Sequence, residues 1–211
     1  MQNNQAVQEK RKDKIPYEYN KSQFKNFDPL EMSNNTGCPY NEEKQEFTVT
    51  VMNNKYVVQY PSGNILNNDY TEVEKYPIKT LILRYLINAK GIEPSHKTIT
   101  YREVSGGNVY YNNFYGRCIL RFQKTFGKNL EGFKKAAENC NGIKVNGGDL
   151  AYKIEFINNV YITLILWQGD EEFEATSQIL FDGNVMFYFT AEDLAFVGDI
   201  CMGALTKKAF S

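Results

Sequence analysis

The run Val160–Trp167, V-Y-I-T-L-I-L-W, constrains the fold more than any other segment of the chain. Successive side chains of a strand point to opposite faces, so a strand with one wet face alternates apolar and polar residues. This run is apolar on both faces. It predicts a central strand covered on both sides, most simply by helices. Asn158-Asn159 before it tolerates the positive φ of a tight hairpin, and Gln168-Gly169-Asp170 after it turns the chain. Leu150–Ile157 and a returning strand through 172–181 then complete a meander. On the returning strand Phe173, Ala175, Ser177, Ile179 and Phe181 are expected on one face, with Glu172, Glu174, Thr176 and Gln178 on the other. Asp182-Gly183-Asn184 ends it. Thr190 followed by Asp193 has the spacing of a capping box for a last helix reaching about Lys208.

Upstream, two β-rich runs, 46–52 and 55–60, flank Asn53-Asn54 and predict a hairpin. Pro77 suits a first helical position, and Ile78, Leu81, Ile82, Tyr85, Leu86 and Ala89 recur at helical spacing, with Gly91 as the stop. Residues 97–104 read as extended and end in Ser105-Gly106-Gly107. That glycine pair could present amides to an anion, although a plain turn explains it as well. Two more helices follow, over 108–126 and 129–140. Residues 1–25 are polar and rich in Lys10, Arg11, Lys12, Lys14, Lys21 and Lys25. They suit a loose tail, a basic arm, or a helix docked through Tyr17, Tyr19 and Phe24. Residues 26–45 have loop chemistry, so order is expected to begin at Glu46.

The expected architecture is therefore α+β. A mostly antiparallel sheet, made of an N-terminal hairpin and a C-terminal meander, packs against about four helices. Residues 1–45 form a polar extension and 46–211 a single domain. With 42% hydrophobic and 14% aromatic residues the chain is not disordered, and a net charge of −1 gives no global pull toward nucleic acid or anionic membrane. No apolar run approaches the roughly 20 residues of a membrane span. The opening M-Q-N-N-Q-A-V-Q-E-K lacks a signal-peptide core. A cytoplasmic location is expected, with neither nucleic acid nor membrane as partner; oligomeric state is left open.

Cys38, Cys118, Cys140 and Cys201 are far apart, with no C-x-x-C pair, which argues against structural zinc and iron–sulfur ligation. Cys118 and Cys201 read as small buried hydrophobes, and Cys38, in T-G-C-P-Y, as the one most open to solvent. The single histidine, His96, excludes any constellation needing two, and reads as a loop residue. Arg117 and Arg121, one helical turn apart, could clamp a carboxylate or phosphate, or pair locally. Asp170, Glu171, Glu172 and Glu174 cluster beside the only tryptophan, Trp167. On a strand, Glu172 and Glu174 would lie about 7 Å apart on one face, able to hold a hard cation or divide acid and base roles. More simply, they suit the solvated face of an edge strand. Asp149 and Asp182, beside glycines at strand ends, could converge on the same edge.

Several segments carry a resemblance: L-I-L-R-Y-L-I-N-A-K-G (81–91), Y-R-E-V-S-G-G-N-V-Y (101–110), F-Y-G-R (114–117), F-G (126–127), G-D (148–149), W-Q-G-D-E-E-F-E-A (167–175), I-L-F-D (179–182) and E-D-L (192–194). In this order, over about residues 80–205, they resemble the bacterial and archaeal family of the domain of unknown function 3786, found largely in anaerobes. Glu174 stands where that family usually has proline. Some relatives carry an iron–sulfur module like that of corrinoid iron–sulfur proteins, for which this chain lacks the cysteines. The resemblance implies a ligand-binding or accessory protein of anaerobic metabolism, with a corrinoid or other tetrapyrrole as one candidate ligand. A carboxylate-dependent hydrolase or lyase, with or without a metal, is the alternative, and a protein-interaction module is the third. The candidate ligand-binding residues are Arg102, Arg117, Asp149, Trp167, Asp170, Glu171, Glu172 and Asp182. No catalytic residue, metal ligand or cofactor is assigned.

Overall fold

A computed structural model describes the backbone of residues 2–209 and the side chains of residues 12–209. The chain divides into two compact units, 1–92 and 93–211, so the expected boundary after residue 45 falls inside the first. Both units combine antiparallel strands with helices, and the α+β class holds.

The first unit comprises α1 (Gln2–Phe24), α2 (Pro29–Thr36), β1 (Tyr40–Asn41), β2 (Glu46–Val51), β3 (Asn54–Gln59), β4 (Asn64–Asn67) and α3 (Tyr76–Asn88). Its strands run β4-β3-β2, with β1 paired to β2. Order thus begins well before Glu46. The sequence Asp28-Pro29 starts a helix rather than a loop: the Asp28 carboxylate accepts from the amides of Leu30 (2.8 Å) and Glu31 (3.0 Å). Proline at the first helical position sacrifices no hydrogen bond. Gly37, at φ 67°, closes α2. Helix α1 docks through Tyr17 and Phe24, both buried, whereas Tyr19 points to solvent. The side chains of Lys10 and Arg11, on which the basic-arm reading partly rests, lie outside the described residues. Cys38 is buried instead of exposed, because the turn after α2 folds inward and its amide donates to Thr36 Oγ1 (3.2 Å). The hairpin turn is Met52-Asn53, one residue earlier than expected, with positive φ at both positions.

The second unit opens with β5 (Thr98–Thr100) and a 3₁₀ turn, Tyr101–Glu103. It continues with α4 (Gly107–Phe114), a π-helical turn (Tyr115–Ile119), α5 (Leu120–Phe126), α6 (Leu130–Glu138) and β6 (Ile143–Lys144). Then come β7 (Leu150–Ile157), β8 (Val160–Trp167), β9 (Thr176–Asp182), a second 3₁₀ turn (Gly183–Phe187) and α7 (Ala191–Ala209). The strands run β7-β8-β9-β5, all antiparallel, with β6 paired to β7. The extended stretch expected over 97–104 is therefore three residues of strand. The helix expected over 108–126 is one run interrupted by the π turn. Thr190 and Asp193 form the capping box: Thr190 N and Oγ1 donate to Asp193 Oδ2, and Asp193 N donates back to Thr190 Oγ1.

As expected, β8 is central, but the helices of the unit cover one of its faces. On that face Ile162 and Leu164 stand between Tyr152 and Ile154 of β7 and Ile179 and Phe181 of β9. Phe133 of α6 packs edge-on to Tyr152 (5.6 Å) and Phe114 of α4 against Phe181 (5.9 Å). On the other face a glycine loop takes the helices' place. A Cβ on Gly147 would stand 3.2 Å from Ile165 Cδ1, and one on Gly148 would meet the Leu166 carbonyl at 2.5 Å. Beside them Lys153 Nζ lies 4.2 Å above the Tyr161 ring. Apolar residues suit both arrangements, which is why the run could not distinguish a helix from a loop as cover. Returning strand β9 begins at Thr176, four residues later than expected. Phe173, assigned to its inner face, is 72% exposed. Among the described residues no helix is long and apolar enough to cross a membrane.

The two faces differ in what they lose on truncation. Leu164→Ala removes a fully enclosed side chain and is expected to cost about 3 kcal/mol. Thr163→Ala, on the loop-covered face, is expected to cost about 1 kcal/mol. Urea unfolding of the two variants checks both values.

Candidate functional site

The acidic segment is a turn, not a strand edge. Asp170 accepts from the amides of Phe173 (2.7 Å) and Glu172 (2.9 Å), while its own amide donates to the Phe173 carbonyl (2.9 Å). A side-chain oxygen that captures amides two and three residues on closes an Asx-type turn. These amides, Phe173 first, hold the Asp170 carboxyl below the usual aspartate range. Glu171, Glu172 and Glu174 project into solvent around the turn. With no strand at 172–174, the expected pair of carboxylates about 7 Å apart on one face is not formed. Trp167 ends β8 beside this turn and is 39% exposed.

Asp149 lies at the same end of the sheet. Its Oδ2 accepts from the Gln168 amide (2.7 Å), and its amide donates to the Leu166 carbonyl (2.9 Å), so it fastens the start of β7 to the exit of β8. Asp182 lies at the other end, six residues along β9, or about 20 Å away. The two aspartates therefore do not converge. Asp182 is 4% exposed and accepts four hydrogen bonds: Oδ1 from Ser95 N (2.8 Å), Ser95 Oγ (2.8 Å) and Asn184 N (3.0 Å), and Oδ2 from His96 N (2.8 Å). Burial alone would raise its pKa. The donors outweigh that and hold the carboxyl below the usual range. His96 contributes its backbone here, at φ 58°, in keeping with an ordinary loop residue.

The arginines are engaged within the unit. Arg117 and Arg121 grip the two oxygens of one carboxylate, Asp199 of α7, at 2.7 and 3.0 Å. The clamp foreseen for a ligand thus closes on an internal aspartate. Asp199 was detectable in sequence only as a lone acid in the apolar run of the last helix. Arg102 lies 3.8 Å over the Tyr111 ring of α4. Burial pushes the Cys118 thiol up to about 12 and Cys201 well above its ordinary value, so both behave as apolar filler. Among the described residues no group of three or more His, Cys, Asp or Glu is gathered as a metal ion would need.

One of the candidate residues, Asp149, borders a groove. It has a volume of about 550 Å³ and lies between α6 and the starts of β6 and β7, with Glu131, Lys134, Glu138, Lys144 and Tyr152 among its lining. Tyr152 is buried, and its hydroxyl donates to Glu138 Oε1 (3.0 Å). Burial first, and the Glu138 carboxylate second, raise the phenol above its usual value, so it stays a neutral donor. The volume falls in the range of small-molecule sites. Its rim of ammonium and carboxylate groups can pair with a ligand that presents both signs of polarity. The groove escaped sequence reading because it joins residues some twenty positions apart, and none of them forms a motif.

A family model for a domain of unknown function (DUF3786) matches residues 28–204. The chain belongs to this family. The DUF3786 match takes in the candidate residues and their partners, from Ser95 to Cys201, and leaves α1 outside it. No curated protein and no solved structure matches the chain.

If Asp182 is a clasp, removing it leaves buried donors without an acceptor. Asp182→Ala is expected to cost about 2–4 kcal/mol. Its folded pKa is depressed, so its charge-dependent contribution is present above the ordinary aspartate pKa and lost as pH falls through the folded value. Urea unfolding of both proteins from pH 7 downward should show their stabilities converging in acid.

Proposed function

We propose that the protein binds a small polar ligand in the groove between α6 and β7, in the binding or accessory role that the family resemblance implies. The observation that carries this reading is the half-buried Tyr152–Glu138 hydrogen bond on the groove wall, flanked by Lys134, Lys144 and Asp149. A neutral phenol held by a carboxylate, with ammonium groups within reach, is a pre-set array of donors and acceptors. Lysine and glutamate on the rim favour a polar ligand over a corrinoid or other tetrapyrrole macrocycle, which needs a flat apolar slot. The carboxylates of the hydrolase reading lie elsewhere. Asp170 is occupied by its own turn, and Glu171 and Glu172 are exposed and line no part of this groove.

A thermal-shift panel of amino acids, di- and tricarboxylates, nucleotides, cobalamin and haem tests this. At a hundredfold excess over Kd a ligand adds about 2.7 kcal/mol, or about 5 °C or more in a chain of this size. A polar compound that stabilises the wild type but not Lys134→Glu/Tyr152→Phe is the expected result. Stabilisation by cobalamin or haem alone, or a shift indifferent to those substitutions, would overturn the reading.

A further inference from the structure

The first unit holds a second groove, of about 360 Å³, independent of the one above. Lys14, Tyr17 and Lys21 of α1 line one wall; Glu72, and Tyr76 and Lys79 of α3, line the other. Lys14, Tyr17 and Lys21 recur at intervals of three and four residues and so share one face of α1. Lys79 is 3% exposed. An ammonium is costly to bury unless a counter-charge accompanies it. Here its Nζ lies 4.6 Å from the Tyr17 ring centroid and 5.1 Å from that of Tyr76, with one carboxylate contact, Glu72 Oε1 at 3.1 Å. That carboxylate belongs to a side chain 78% exposed, which reaches in from solvent to meet it. Lys14 and Lys21 have no carboxylate within ion-pair distance among the described residues, although Glu18 also lines the groove, so that three ammonium groups face two carboxylates there.

The geometry points to an anion site: Lys79 anchors a compact oxyanion, carboxylate or phosphate, that takes the place of the Glu72 carboxylate. The two tyrosine rings hold the ammonium by cation–π attraction and keep water from its flanks, and its one hydrogen-bonded partner is the Glu72 carboxylate on the groove. Lys14 and Lys21 stand near the mouth and add attraction for a second negative charge. Glu72 then acts as a tethered competitor, which keeps Lys79 paired when no ligand is bound and yields to an anion of higher charge. Glu72, Tyr76 and Lys79 lie within residues 28–204 matched by the family, and α1 lies outside them.

The test is calorimetric titration of the full chain with inorganic phosphate and, separately, succinate, at constant ionic strength set with chloride. Glu72→Gln removes the competitor and is expected to bind at least one of the two about tenfold more tightly than the wild type. Lys79→Met is expected to show no saturable binding. Phosphate binding without succinate binding identifies a phosphate ligand, and the converse a carboxylate. Lys14→Met/Lys21→Met, at exposed or half-exposed positions, is expected to weaken binding by about threefold. It decides the matter should Lys79→Met fail to fold. Absence of saturable binding to Glu72→Gln, undiminished binding to a folded Lys79→Met, or unchanged affinity in the double variant would overturn the site. Such a result would leave the α6–β7 groove untouched, because that groove belongs to the other unit.

Discussion

A strand that is apolar on both faces must be enclosed on both, and the second unit is arranged around that demand at β8. Hydrogen bonding to β7 and β9 satisfies its backbone, while Leu164 and Ile162 meet the helices on one face and Ile165 meets the glycine loop on the other. The loop can approach Ile165 and Leu166 closely because Gly148 has no Cβ to strike the Leu166 carbonyl, and its φ of 55° favours glycine. From this follows the position of α6, whose Phe133 rests on Tyr152, and hence the groove that α6 forms with β7.

Carboxylates secure the ends of this sandwich. Asp149 and Asp170 fix the turns at one end of the sheet, Asp182 fastens β9 to the loop holding Ser95 and His96 at the other, and Asp199 draws the π-helical turn to α7. Each accepts from backbone amides, from the Ser95 hydroxyl or from arginine, Asp182 four times, Asp170 and Asp199 twice and Asp149 once. Groups so placed lower the energy of one backbone arrangement, and Asp182, buried with four donors around it, has little capacity left for a substrate. Of the acidic residues that stand out in the sequence, Asp149, Asp170 and Asp182 are tied into the fold, while Glu171, Glu172 and Glu174 stand in solvent.

Much of this was legible in the sequence, and what was not has physical causes. Period-two and helical patterns located β8, the β2–β3 hairpin, α3 and α7, and Thr190-x-x-Asp193 marked its cap correctly. Helix α1 was missed as firm structure because it is polar around most of its circumference and docks through two aromatic anchors, Tyr17 and Phe24. Helix α2 was missed because Ser, Asn, Pro and Gly also suit loops. The alternation of β9 reads back through Glu172 without a break, and only the side chain of Asp170, by capturing two amides, ends the strand at Thr176. Both grooves unite residues distant in sequence, and no local pattern marks a buried lysine such as Lys79 or a buried phenol such as Tyr152.

Carboxyl ¹³C NMR followed from pH 7 into acid tests most directly whether these aspartates hold the fold or perform chemistry. Asp170 and Asp182 are expected to titrate below the ordinary aspartate range, each because backbone amides stabilise its charged form. Either carboxyl titrating above that range, as a proton donor in a desolvated active site does, would contradict the structural reading.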